Sequence, residues 1–101
     1  MTTIIKEEDN SKVVYFDGRF DTAASMQVQK DIQPLINDIN SDVILDCENM
    51  QYISSSGLRI FLSILKSVNP TSHHVYIRKL RDDLRQVFTV TGFISLFEFL
   101  D

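Results

Sequence analysis

The chain has 101 residues, a formal net charge of −4 and 44% hydrophobic residues, which suits one globular domain over residues 1–101. The acidic balance argues against nonspecific nucleic-acid binding, which needs a basic face. The N-terminus has no signal-peptide pattern and no stretch approaches 18 apolar residues. We therefore expect a cytoplasmic protein that does not span a membrane.

The first twenty residues predict a β-hairpin. Ile4 and Ile5 begin one strand, and the β-branched and aromatic run from Lys12 to Phe16 forms the second. The polar residues between them make the turn. The sequence Asp17-Gly18 is expected to end the second strand.

A helix is predicted next, with Asp21 or Thr22 as its cap. Pro34 lies within the apolar stripe of this helix, where proline removes a hydrogen bond and costs about 3 kcal/mol. We therefore expect a kink or break near Gln33. The stripe itself consists of Val28, Ile32, Leu35, Ile36 and Ile39.

The following segment combines an apolar strand with a serine-rich connection. The run from Val43 to Leu45 predicts a buried strand that ends at Asp46. The single cysteine, Cys47, rules out an intrachain disulfide and is expected to be a buried or half-buried thiol. Three serines then precede Gly57. Serine is a preferred helix cap, but one cap needs one serine, and the glycine would let another chain approach closely.

The last part of the chain predicts two helices and two strands. A helix from about Ser56 to Val68 has a broad apolar face, in which we interpret Ile60 and Ile64 as core residues. A strand is predicted over 73–78, and its two adjacent histidines would point to opposite faces, which disfavours a shared metal. A helix over 81–91 should end at Gly92, before a turn and a closing strand.

Two motifs resemble the STAS domain of bacterial anti-sigma-factor antagonists. The stretch from Asp46 to Leu58 is similar to the family's signature, and Gly18–Asp21 is similar to its Gly-x-(Leu/Phe)-Asp element. Alternation of strands and helices by itself favours an α/β fold with parallel and antiparallel pairs. The resemblance implies the STAS arrangement, a mixed sheet of about four to five strands with helices packed mainly on one face.

The resemblance also implies a function. The protein would be an anti-sigma-factor antagonist, a binding module without cofactor or metal that docks on an anti-sigma factor or serine protein kinase. Phosphorylation of Ser55 would switch it off, and a phosphatase is expected to reverse this. Where many members have Asp before the phosphorylated serine, this chain has Ser54. The residues implied to bind the partner are Asp21, Ser54, Ser55, Ser56, Gly57 and Arg59.

Two other functions compete with this interpretation. An unphosphorylated STAS adaptor in a larger signalling or transporter-associated assembly would differ in that no kinase modifies Ser55. An enzyme with a serine nucleophile would need a base within hydrogen-bond reach. The sequence has no G-x-S-x-G motif and offers only His73 and His74 as bases, so we predict no catalytic residues and no enzyme activity.

Overall fold

The computed structural model describes residues 1–100. Five strands and three helices alternate after an initial hairpin, which confirms the predicted α/β class. A short 3-10 turn, Phe93–Ser95, leads into the last strand. The elements are β1 (Thr2–Glu8), β2 (Ser11–Phe20), α1 (Thr22–Asn37), β3 (Asp42–Ile53), α2 (Ser55–Val68), β4 (Val75–Arg78), α3 (Asp82–Thr91) and β5 (Glu98–Phe99).

The sheet has the strand order β1-β2-β3-β4-β5, which follows the order along the chain. Only β1 and β2 are antiparallel, joined by a tight turn in which Asp9 and Asn10 have positive φ angles of 49° and 67°. The other three pairs are parallel and so need long crossover connections. The helices α1, α2 and α3 lie in these connections. As a result, the carboxyl ends of β2 and β3 meet at one edge of the sheet.

A cluster of phenylalanines forms the centre of the core between sheet and helices. The ring of Phe61 on α2 lies 5.2 Å from Phe16 and 6.1 Å from Phe20, both on β2, and 6.0 Å from Phe88 on α3. All four rings are at most 1% exposed. Ile60 and Ile64 are also buried, which confirms their assignment to the core.

The opposite face of the sheet carries a polar network across four strands. Tyr15, Asp46 and Arg78 are register partners on β2, β3 and β4. Arg78 Nε donates to Asp46 Oδ2 at 2.7 Å, and Arg78 Nη2 donates to the Tyr15 hydroxyl oxygen at 3.1 Å. The Tyr15 hydroxyl in turn donates to Glu8 on β1, and this hydrogen bond raises the pKa of Tyr15. The Asp46 side chain is only 4% exposed.

Both central strands are longer than predicted. β3 does not end at Asp46 but continues to Ile53, because the buried carboxylate finds its partner Arg78 within the sheet. β2 likewise passes Gly18 and reaches Phe20. Gly18 has a φ angle of 114°, and the register with β3 shifts on both sides of it, so the strand accommodates the glycine as an irregularity.

The predicted break near Gln33 is wrong, since α1 is one helix from Thr22 to Asn37 with Pro34 inside it. Pro34 lies in the last turn on the exposed side, where it removes a single hydrogen bond. Buried Ile32 and Leu35 on either side of Pro34 hold the helix against the core.

Smaller differences concern the other boundaries. The strand β4 begins at Val75, so His73 and His74 precede it instead of alternating within it. The His73 Nδ1 atom lies 3.5 Å from Asp42 Oδ1, and the His74 Nδ1 atom lies 3.4 Å from Glu98 Oε2.

No helix within residues 1–100 is long and apolar enough to cross a bilayer. Cys47 is fully buried, as predicted, and burial raises the pKa of its thiol.

The network on the open face gives a stability prediction. Asp46→Ala should lower the free energy of unfolding by about 2–3 kcal/mol, because it leaves the half-buried Arg78 guanidinium without its main partner. Denaturant titration measures this. The control is Asp83→Ala, which removes an exposed pair with Arg81 of the same 2.7 Å length and should cost about 1 kcal/mol or less. Equal losses in the two variants would contradict the role assigned to Asp46.

Candidate partner-binding site

Two helices begin side by side at the carboxyl edge of the sheet. Phe20 and Ile53 are register partners at the ends of β2 and β3. The Ser54 backbone N–H donates to the Phe20 carbonyl oxygen at 2.8 Å, which extends the pairing by one residue. Asp21 and Ser54 therefore follow directly on adjacent strand ends, although 33 positions separate them in the sequence.

Each of these two residues caps the helix that follows it. The Ala24 N–H donates to Asp21 Oδ1 at 2.9 Å, and the Gly57 N–H donates to Ser54 Oγ at 3.1 Å. Asp21, and not Thr22, is thus the cap of α1. The amino ends of both helices, which carry partial positive charge, meet at one edge of the sheet.

The three serines lie in different environments. Ser54 is the cap of α2 and is 8% exposed. Ser55 is the first residue of the helix and is exposed, while Ser56 is half-buried. Capping therefore uses the first serine alone and leaves the Ser55 hydroxyl on the surface.

Gly57 has a packing role within the domain. It is buried, and a methyl group there would lie 2.9 Å from Ile53 Cγ1 and 3.0 Å from Phe20 Cγ. The absence of a side chain lets α2 begin directly against the two strand ends. The close approach that Gly57 allows within this structure is to its own chain, and its contact with a partner stays a prediction.

The remaining predicted residue, Arg59, is exposed one turn after Ser55 on α2. Residues four apart in a helix lie on the same face, so the hydroxyl and the guanidinium share one side of α2. We call Asp21, Ser55 and Arg59 the serine surface. This surface is accessible, and it contains a carboxylate, a hydroxyl and a positively charged guanidinium.

Sequence reasoning missed a neighbouring pair, Arg19 and Tyr52. The guanidinium carbon of Arg19 lies 4.4 Å from the centroid of the Tyr52 ring. Tyr52 lies beyond Asp46, where the sequence predicts that the strand ends, and the register between β2 and β3 pairs it with Arg19. No sequence spacing predicts that contact.

The position of the histidines bears on the chemistry. The His74 carbonyl oxygen accepts from the Val43 N–H at 2.9 Å, at the beginning of β3, whereas Ser55 follows the end of that 12-residue strand. His73 and His74 therefore lie at the other end of β3 from Ser55. Neither is within hydrogen-bond reach of its hydroxyl, and this arrangement favours a binding surface over a catalytic serine.

The sequence matches the STAS domain family model over residues 2–101. The chain belongs to the STAS domain family. This confirms the resemblance carried by the two motifs, and the sheet order with its three crossover helices is the fold found in related solved structures.

Among relatives of this STAS protein is the anti-sigma-B factor antagonist of Staphylococcus aureus. It is 27% identical over 89 residues, which are 88% of this chain and 82% of that protein. The structure of an anti-sigma factor antagonist from Mycobacterium paratuberculosis is similar with a TM-score of 0.83 at 21% identity, covering 97% of this chain and 83% of that one.

A second similar structure is the anti-sigma factor antagonist SpoIIAA in its unphosphorylated form. Its TM-score is 0.74 at 16% identity, over 99% of this chain and 88% of that one. The phosphorylated form of the Bacillus protein SpoIIAA is similar as well, with a TM-score of 0.73.

The capping geometry predicts different effects for two neighbouring serines. Ser54→Ala removes the cap of α2 and should lower the free energy of unfolding by about 1 kcal/mol. Ser55→Ala changes an exposed side chain outside the cap and should stay within about 0.5 kcal/mol of the unmodified protein. Denaturant titration of both variants decides. A larger loss for Ser55→Ala would mean that the second serine caps the helix.

Proposed function

We propose that this STAS protein is an anti-sigma-factor antagonist whose serine surface binds an anti-sigma factor or serine protein kinase, and that phosphorylation of Ser55 abolishes binding. The observation that carries the proposal is that Ser54 caps α2 and thereby leaves the Ser55 hydroxyl exposed. Two similarities support the proposal: the Staphylococcus aureus relative is an anti-sigma-B factor antagonist, and the structural neighbour SpoIIAA exists in a phosphorylated form.

The helix start is suited to carry a phosphate. Phosphorylation adds about −1.5 to −2 charges at pH 7. The positive end of the α2 dipole and its first N–H groups favour an anion, so the domain should keep its fold when modified. Because Ser54 stands where many family members have Asp, neither the cap nor the sequence of α2 contains a carboxylate that would repel the phosphate.

A bound partner responds differently. A dianion enclosed in a packed contact loses its hydration, and the exclusion of water strengthens its repulsion by the Asp21 carboxylate at the adjacent helix start. The switch would therefore act through charge and bulk at the interface. The kinase would transfer the γ-phosphoryl group of ATP to Ser55 Oγ, leaving ADP and releasing the hydroxyl proton. A phosphatase would hydrolyse the phosphoserine with water, which restores the hydroxyl and releases inorganic phosphate. Since the sequence has no Gly-rich phosphate loop, we assign nucleotide binding to the kinase.

An anti-sigma-factor antagonist acts where transcription is regulated, so we expect this protein to act in the cytoplasm.

The switch is tested after the partner is captured with the tagged chain and identified by mass spectrometry. On reaction with the captured kinase and ATP, phosphopeptide mapping should find phosphate on Ser55 alone, because Ser54 is buried and Ser56 is half-buried. Ser55→Ala should bind the partner constitutively. Ser55→Asp should bind poorly while its NMR spectrum changes only near the start of α2. Phosphate on Ser54 or Ser56 would overturn the assignment, and a bound partner without modification would favour the adaptor.

A second prediction separates the capping role of Asp21 from its role in binding. Asp21→Asn keeps a good cap, so the thermal midpoint should change little while affinity for the partner falls through loss of the charge. Asp21→Ala should lose about 1 kcal/mol of stability in addition. The control is Asp31→Ala, which removes the same charge further along α1, where the side chain contacts Gln27. Lower stability with unchanged affinity would reduce Asp21 to a cap.

A further inference from the structure

The pair formed by Arg19 and Tyr52 lies on the face of the sheet that the helices leave uncovered. Their neighbours Phe20 and Ile53 are buried in the core, and side chains alternate between the two faces of a strand. Arg19 is exposed and Tyr52 is 39% exposed, so both reach the surface. The guanidinium carbon lies 4.4 Å from the ring centroid, in the geometry of a cation–π contact.

The pair adjoins the serine surface. Arg19 and Tyr52 are register partners and lie two residues before the caps Asp21 and Ser54, respectively. The hydrogen bond from Ser54 N–H to the Phe20 carbonyl fixes the two strand ends between them. A partner that covers the serine surface at this edge would thus meet the Arg19–Tyr52 pair next.

The guanidinium of Arg19 has no acidic partner within residues 1–100. Two of the other arginines lie against carboxylates: Arg78 against Asp46 and Glu8, and Arg81 against Asp83. Acidic residues outnumber Lys and Arg by 14 to 10 in the sequence, yet none of the acidic residues that the structure describes forms an ion pair with Arg19. The Tyr52 ring holds the guanidinium in place, while the N–H donors of Arg19 stay available for a hydrogen bond to a partner.

We propose that the Arg19–Tyr52 pair is a second contact with the anti-sigma factor, in which Arg19 donates to a carboxylate of that partner and the Tyr52 ring packs beside it. This inference rests on the proposed function. Arginine and tyrosine are enriched among the residues that dominate binding energy at interfaces. Because the stack already orients the guanidinium, less side-chain freedom is lost on binding. The nearby Asp21 carboxylate and the net charge of −4 disfavour a nucleic acid as the occupant.

The test measures affinity of unphosphorylated variants for the purified anti-sigma factor identified by the capture experiment. Arg19→Glu should weaken binding by about tenfold or more, since it replaces attraction by repulsion. Tyr52→Phe keeps the ring and should bind like the unmodified chain, whereas Tyr52→Leu should bind several-fold more weakly. The difference between Arg19→Ala and the unmodified chain should shrink as salt is raised.

The matched control is Arg85→Ala. The guanidinium carbon of Arg85 lies 4.5 Å from the centroid of the Phe99 ring. Phe99 is on β5, two strands away from β3, so the loss of Arg85 should leave affinity for the partner unchanged. Thermal midpoints of all variants check that the fold is kept. Unchanged affinity for Arg19→Glu, or an equal loss for Arg85→Ala, would overturn this inference while the proposed function stands. Failure of the unmodified chain to bind any anti-sigma factor would contradict the proposed function and this inference with it.

Discussion

The contact between the start of α2 and the ends of β2 and β3 determines the geometry of the candidate site. It depends on Gly57, where any side chain would collide with Ile53 and Phe20. This approach places Ser54 over the strand end, where its hydroxyl caps the helix and its N–H pairs with Phe20. The next residue, Ser55, is then directed to the surface. Core packing and the accessibility of one hydroxyl are consequences of the same contact.

The two faces of the sheet are stabilised by different physical means. One face packs its phenylalanines against the helices and gains stability from apolar burial. The other face, which no helix within residues 1–100 covers, is held together by the buried Asp46 and its partner Arg78, with Tyr15 and Glu8 extending the network to the edge strand. A charged residue this deeply buried depends on its partner, and Arg78 is the register partner of Asp46 on β4.

Local sequence patterns predict the elements of this fold better than their extents. Apolar spacing identifies the three helices, and the preference of Asp and Thr for helix starts limits the cap of α1 to Asp21 or Thr22, of which the structure shows Asp21. The length of β3 was not predictable, because the residue that keeps Asp46 inside the strand is 32 positions away. The continuity of α1 through Pro34 likewise depends on tertiary packing. The Arg19–Tyr52 contact follows from the register of two parallel strands, which no local pattern contains.

The backbone around Ser55 has a consequence for how an enzyme could recognise it. Many modification sites lie in disordered segments that bind in extended form. Here the residues before Ser55 belong to a central strand whose last part pairs with β2, and those after it form a helix that buries one face in the core. An excised peptide of this segment would lose the cap, the strand pairing and the neighbouring Asp21 at once. A kinase that modifies Ser55 must therefore recognise a three-dimensional surface, and a linear consensus sequence would describe its specificity poorly.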